Sequence, residues 1–210
     1  MSYLTIASDV TAEIEVKRSR FLCTLVRVED EQAARAVVER LRKEHWDAGH
    51  HCSALRVGPP PHEVERSADD GEPAGTAGAP MLEVLRGAEV SDVVAVVTRW
   101  FGGTLLGAGG LVRAYGDAVR TALDGAGTLR RSLLREHVLE LEHADAGRLE
   151  SELRTRGIAI LDTTYADRVS LTLGVPPAGE ARLATALAEL TGGSAETTVA
   201  GERWVDSLTT

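Results

Sequence analysis

Between Asp69 and Tyr115 the chain passes from an acidic, glycine-rich stretch through a fully apolar one into a second glycine-rich stretch, and this order restricts the fold more than any other feature. The first stretch is Asp69-Asp70-Gly71-Glu72-Pro73-Ala74-Gly75-Thr76-Ala77-Gly78. The last is Arg99-Trp100-Phe101-Gly102-Gly103, followed by Leu106-Gly107-Ala108-Gly109-Gly110-Leu111-Val112-Arg113-Ala114-Tyr115. Glycine is used where φ must be positive or where another backbone or a ligand comes close. The run therefore marks a shaped surface and not packing alone. Between the two, Val93-Val94-Ala95-Val96-Val97 has no polar alternation and reads as a strand buried on both faces. A helix over residues 111–123 follows the second glycine stretch, with Tyr115 and Val119 on its inner side.

The surrounding periodicities extend this to a two-domain α/β (α+β) chain, with domains over 1–130 and 137–210. In the first, residues 21–28 and 51–57 read as strands. Ala34, Val37, Val38 and Leu41 place an amphipathic helix over 31–43. Residues 58–68, with Pro59-Pro60-Pro61, read as a loop, and 80–86 as a helix. Residues 124–135 read as the linker. In the second domain, Leu139 and Leu141 alternate with Glu140 and Glu142, and Val169, Leu171, Leu173 and Val175 alternate with polar or small residues. Leu149 and Leu153 lie four apart, and Leu183, Leu187 and Leu190 share one helical face after Pro176-Pro177. With 158–165 and 197–202 as strands, the order is βαββαβ, which predicts a ferredoxin-like sheet with two helices on one face.

Composition narrows the function classes. The net charge is −9, and residues 138–210 carry 6 Lys/Arg against 12 Asp/Glu. Binding nucleic acid through counterion release needs many cations. Here only a local patch could supply them: Lys17, Arg18 and Arg20, or Arg130, Arg131 and Arg135. No apolar run is long enough to span a bilayer, and residues 1–10 lack the pattern of a secretory leader. A cytoplasmic location and no membrane partner are the expectation. Cys23 and Cys52 form no CxxC pair and read as reduced thiols.

Several readings compete for the chemistry. Asp69, Asp70 and Glu72 could hold a divalent cation, act as an acid–base pair, or cap the next helix. His50 and His51 are adjacent, so on a strand they face opposite sides. His50 with Cys52 is then at most a two-ligand fragment, whereas zinc takes three or four protein ligands. No metal and no cofactor are expected. The loop 102–110 suits anion binding by backbone N–H groups. It carries no Gly-x-x-x-x-Gly-Lys-[Ser/Thr] and no complete Gly-x-Gly-x-x-Gly, which argues against a nucleotide kinase. Arg99 ends the buried strand and needs a carboxylate, for which Asp69 or Asp70 is the expected partner.

Lys17-Arg18-Ser19-Arg20-Phe21, His50-His51-Cys52, the acidic loop 69–78 and the stretch 78–107 together resemble the Impact/YigZ-type family over almost the whole chain. Met81, Leu82, Leu85, Val90, Val96 and Val97 stand at its aliphatic positions. The sequence departs from the usual pattern at Ala79, where a lysine is common, and at Trp100, where a tyrosine is common. The resemblance implies an N-terminal domain similar to the second domain of ribosomal protein S5, and a C-terminal domain similar to a late domain of the translocation elongation factor. It also implies a link to translation, with the translation apparatus, RNA or a regulatory protein as partner. The expected binding residues are Asp69, Asp70, Glu72, Arg99, Gly102, Gly103, Gly107, Gly109, Gly110 and Arg113, with no catalytic residue. A metal-assisted hydrolase using the same loops is the alternative.

Overall fold

In the computed structural model, which describes residues 1–208, the chain divides into two compact units over residues 2–130 and 131–207. Each has the mixed α/β composition expected from the sequence.

The first unit is built on a sheet of β2 (Val10–Val16), β3 (Ser19–Arg27), β4 (His50–Val57), β5 (Val64–Ala68) and β6 (Val93–Trp100). Its order is β2-β3-β6-β4-β5, antiparallel throughout. The apolar strand β6 takes the centre because both its faces are covered. Val93, Ala95 and Val97 face a core shared with α2 (Gly78–Gly87) and α3 (Ala108–Ala126). Val94 and Val96 face a second core against α1 (Glu31–Glu44), with Ala34 and Leu41. Each valine buried this way contributes about 1.5–3 kcal/mol relative to an exposed one, which fixes β6 in the middle. Asp30 starts α1 by accepting the Ala33 N–H at 2.7 Å. A short strand, β1 (Ser2–Ile6), lies outside this sheet and makes an isolated parallel bridge from Leu4 to Val90.

Two segments differ from the sequence reading, and β1 and β2 form where it places no element. Residues 64–68, read as loop, form the edge strand β5. Its alternation is not apolar. Arg56 on β4 reaches across to Glu63 at 2.7 Å and Glu65 at 2.9 Å, so ion pairs rather than a hydrophobic face hold the hairpin. Residues 124–135, read as a linker, are not irregular. Helix α3 runs to Ala126, Gly127 turns the chain at φ 63°, and β7 (Thr128–Leu141) begins at once.

The second unit contains α4 (His143–Thr155), β8 (Ala159–Tyr165), β9 (Val169–Val175), α5 (Glu180–Thr191) and β10 (Thr197–Leu208). β9 pairs antiparallel with both β8 and β7, and β10 pairs with β7. This is the ferredoxin-like βαββαβ arrangement. One core serves it: Leu139, Leu171 and Leu173 from the sheet against Leu149, Leu153 and Leu183 from the helices. No described helix is long and apolar enough to cross a membrane.

Candidate functional site

The centre strand delivers the site. β6 ends in Arg99 and Trp100, and in the sheet register Arg99 lies opposite both His50 on β4 and Phe21 on β3. Arg99 is on the face that carries Val97 and Ala95, so its guanidinium enters the edge of the core under α3. The acidic loop folds over that edge, and each of its three carboxylates is spent on this chain.

Asp69 closes the loop on itself. Its carboxylate accepts the N–H groups of Gly75 at 2.7 Å, Gly78 at 2.8 Å and Ala77 at 3.1 Å. Partial burial pushes its acidity down, but the three donors outweigh this and hold its pKa below the usual aspartate value. The bonds also satisfy the N-terminus of α2, which has no side-chain cap at Ala77. Asp70, at φ 45°, takes Arg42 of α1 at 2.7 Å on one oxygen and the His51 N–H at 2.7 Å on the other. Its carbonyl lies 2.9 Å from His50 Nδ1, so that nitrogen carries the proton and donates.

Glu72 turns inward. Its Oε1 accepts Arg99 Nη1 at 2.5 Å and the Tyr115 hydroxyl at 2.7 Å. The Glu72 and Arg99 side chains are only 4% and 7% exposed. The guanidinium lies over Phe21 at 5.3 Å and under the exposed Phe101 ring at 5.7 Å. Its Nε is buried without a hydrogen-bond partner. Cys52 Sγ sits 2.9 Å from the Asp69 carbonyl and 3.3 Å from Tyr115 Oη. Burial pushes the Cys52 thiol up to about 12; the Tyr115 hydrogen bond works against this shift and the nearby carboxylates add to it. Burial likewise pushes Tyr115 well above its ordinary value. Neither group is an anion at neutral pH.

The glycine loop makes the outer wall. A Cβ on Gly102 would fall 2.0 Å from the Arg18 carbonyl carbon, so only glycine lets this loop lie against the tip of the β2–β3 hairpin. The Gly102 N–H donates to Ser19 Oγ at 3.1 Å, and Arg18 Nη2 donates to Thr104 Oγ1 at 2.9 Å. Gly103 has φ 81° and open space around it. Gly107 precedes α3 at φ 75°, and Gly109 and Gly110 form its first turn. Arg113 is exposed one turn further on. It lines a groove of about 950 Å³ between α2 and α3, floored by Ala79, Val84, Val112 and Gly116.

The sequence-derived site residues thus divide into three groups. Asp69, Asp70, Glu72 and Arg99 form one hydrogen-bonded unit. Gly102 packs on the hairpin and Gly103 continues the loop in open space, while Gly107, Gly109, Gly110 and Arg113 belong to the start of α3. The expected partner of Arg99 needs correction. It is Glu72, because Asp69 is committed to backbone donors and Asp70 faces Arg42. His50 and His51 do diverge: His50 joins the acidic loop, and His51 turns to the α1 face, where burial lowers its pKa. Sequence reasoning missed Arg42 and the Cys52–Tyr115 pair. Arg42 could have drawn notice only as one of several last-turn cations, and Tyr115 reads as an ordinary inward helix residue.

An α/β domain closed by an acidic loop, followed by a ferredoxin-like domain, is the class this structure defines. Comparison with known proteins gives the family. The Impact N-terminal domain model matches residues 17–123, and a domain of unknown function (DUF1949) matches residues 139–194. IMPACT family member YvyE of Bacillus subtilis is 40% identical, across 93% of this chain and 89% of that protein. IMPACT family member YigZ of Escherichia coli is 42% identical, across 92% and 95%. A crystal structure described as that of a hypothetical protein superposes with a TM-score of 0.64 at 40% identity, covering 95% of this chain and 97% of that one. The chain belongs to the Impact family.

Proposed function

We propose that this protein acts by binding, as a non-catalytic cytoplasmic regulator associated with translation. The end of the N-terminal sheet is its contact surface. The observation that carries this reading is the internal commitment of the acidic loop. Asp69 holds three backbone N–H groups, Asp70 holds Arg42 and a strand N–H, and Glu72 holds Arg99 and Tyr115. A hydrolytic base or ligand set needs a carboxylate with free lone pairs facing solvent. Here Glu72 is buried, Asp69 and Asp70 are only partly exposed, and all three are committed within the chain, bracing a surface made of Phe101, the glycine loop and the hairpin tip. A protonated, buried Cys52 offers no nucleophile either. The link to translation is supported by the family resemblance; the surface supports binding.

Co-sedimentation with ribosomes from a lysate, with and without ribonuclease, tests the reading. Association of the wild-type chain is the expected result. Gly103→Val, which forbids the positive φ of the loop, and Asp70→Ala should weaken it while the fold persists. If both variants fold and co-sediment like the wild type, the contact surface lies elsewhere.

A further inference from the structure

We propose that the hairpin tip, Phe101 and the exposed start of α3 form a site for single-stranded RNA. The inference rests on the binding reading above and names the chemistry of the partner.

The hairpin gives the first observation. Val16 and Ser19 are paired, so Lys17 and Arg18 alone make the turn, at φ 48° and 66°. A two-residue turn with both φ positive is most easily made by Asn-Gly. Side chains such as lysine and arginine resist this backbone, and residues held in it collect at functional sites. Here the strained positions hold two cations.

The cations converge with others. Lys17 and Arg113 line one cavity of about 310 Å³ with Leu106, Gly109 and Gly110. Among the described residues neither has a carboxylate partner, and Arg18 bonds only the Thr104 hydroxyl. Asp117, the acid in this cavity, is paired with Arg120 at 2.8 Å. In a chain of net charge −9, three uncompensated cations at one corner make a local exception.

The third observation is the ring. Phe101 is 56% exposed, follows β6 directly, and has the Arg99 guanidinium against its ring. Arg99 is itself pinned by Glu72. A ring held from beneath, with cations beside it, matches the needs of a nucleobase and its flanking phosphates: stacking on an aromatic face, with the backbone in a cationic groove. An acidic peptide would use the cations, but a run of aspartates and glutamates brings no aromatic ring to stack on Phe101.

The probe is a fluorescein-labelled oligo-uridine, followed by anisotropy over a salt series. Three phosphate contacts give a slope of log K against log salt of about −2 for a single strand. Phe101→Ala should weaken binding by roughly tenfold or more, with the slope unchanged, because one stack is lost. Lys17→Ala and Arg113→Ala should each flatten the slope by about 0.7. All three residues are exposed, and equal melting temperatures confirm that folding is intact. No oligo-uridine binding at low salt, or binding that ignores these substitutions, overturns the proposal. Co-sedimentation of the same variants separates the two claims. Loss of ribosome association in Phe101→Ala without any oligo-uridine binding keeps the contact surface and overturns RNA in favour of a protein partner. Oligo-uridine binding without ribosome association keeps this site and overturns the translation link.

Discussion

The acidic-loop end of the N-terminal unit and the body of the C-terminal unit are stabilised in opposite ways. In the C-terminal unit the core is aliphatic, and ion pairs such as Arg154–Glu150 at 2.8 Å lie on the outside. At the acidic-loop end a charged pair, Glu72 and Arg99, lies inside, and hydroxyl, thiol and amide groups complete it. Aliphatic packing tolerates exchange of one residue for another of similar volume. A buried ion pair does not, because removing one partner leaves the other's charge buried and uncompensated. The first kind of region is suited to being a stable body, and the second to holding a surface in one exact shape.

The largest expected effect follows from removing half of that pair. Arg99→Ala leaves the Glu72 carboxylate buried with Tyr115 as its remaining donor and should cost about 3–5 kcal/mol. Arg154→Ala, which breaks a half-exposed pair, should barely move the midpoint. Urea unfolding of both variants gives the comparison directly. An Arg99→Met, Glu72→Gln double variant should recover part of the loss, since no buried charge remains. If Arg99→Ala proved as mild as Arg154→Ala, the supposed difference between the regions would vanish.

Leu171→Ala sharpens the other side. Leu171 is fully buried in the C-terminal core, and its truncation should cost about 2–5 kcal/mol. Leu171→Met should cost less than about 1.5 kcal/mol. Chemical denaturation of the pair would establish whether volume, rather than specific partners, governs this unit.

A smaller, pH-dependent effect separates the regions again. The Asp69 pKa is lowered in the folded state. Its contribution is therefore present above the unfolded-state pKa near 4 and is lost as pH falls through the lower folded value. Stability measured from neutral pH down to about pH 3 should decline less steeply in Asp69→Asn than in the wild type, from a lower starting point. An identical acid slope in the two proteins would mean that the loop hydrogen bonds do not favour the carboxylate.

How far the sequence revealed all this follows the same division. Elements with apolar periodicity, such as β6, β9, α1 and α5, were legible because alternation and spacing report burial directly. β2 was legible too, with Val10, Ala12, Ile14 and Val16 on one face, but went unread. β5 was not, because Arg56 and its two glutamates hold it and carry no period. The site was legible as a set of segments. Its wiring was not, since three adjacent carboxylates look alike in sequence and only the path of the loop decides which one meets Arg99. Gly102 illustrates the limit: its need for a bare Cα comes from Arg18, 84 positions earlier.

The smallest expected effect has the opposite sign and tests what the hairpin is for. Replacing Lys17-Arg18 by Asn-Gly gives the turn residues that accept positive φ at both positions. The strands remain paired from Val10↔Leu25 to Val16↔Ser19, and the packing of Gly102 against the backbone at position 18 is retained. The lost Arg18–Thr104 hydrogen bond is exposed and contributes little. Relief of left-handed backbone strain, about 1–2 kcal/mol per residue, less the roughly 0.5–1 kcal/mol entropic cost of a new glycine, should therefore raise stability modestly, seen as a small upward shift in the thermal midpoint. The same variant should lose oligo-uridine binding. A gain in stability with loss of binding means that the wild-type turn is kept for its cations. A loss of stability would mean that Lys17 and Arg18 hold the loop in place, and the hairpin would then belong with the wired interior and not with the contact surface.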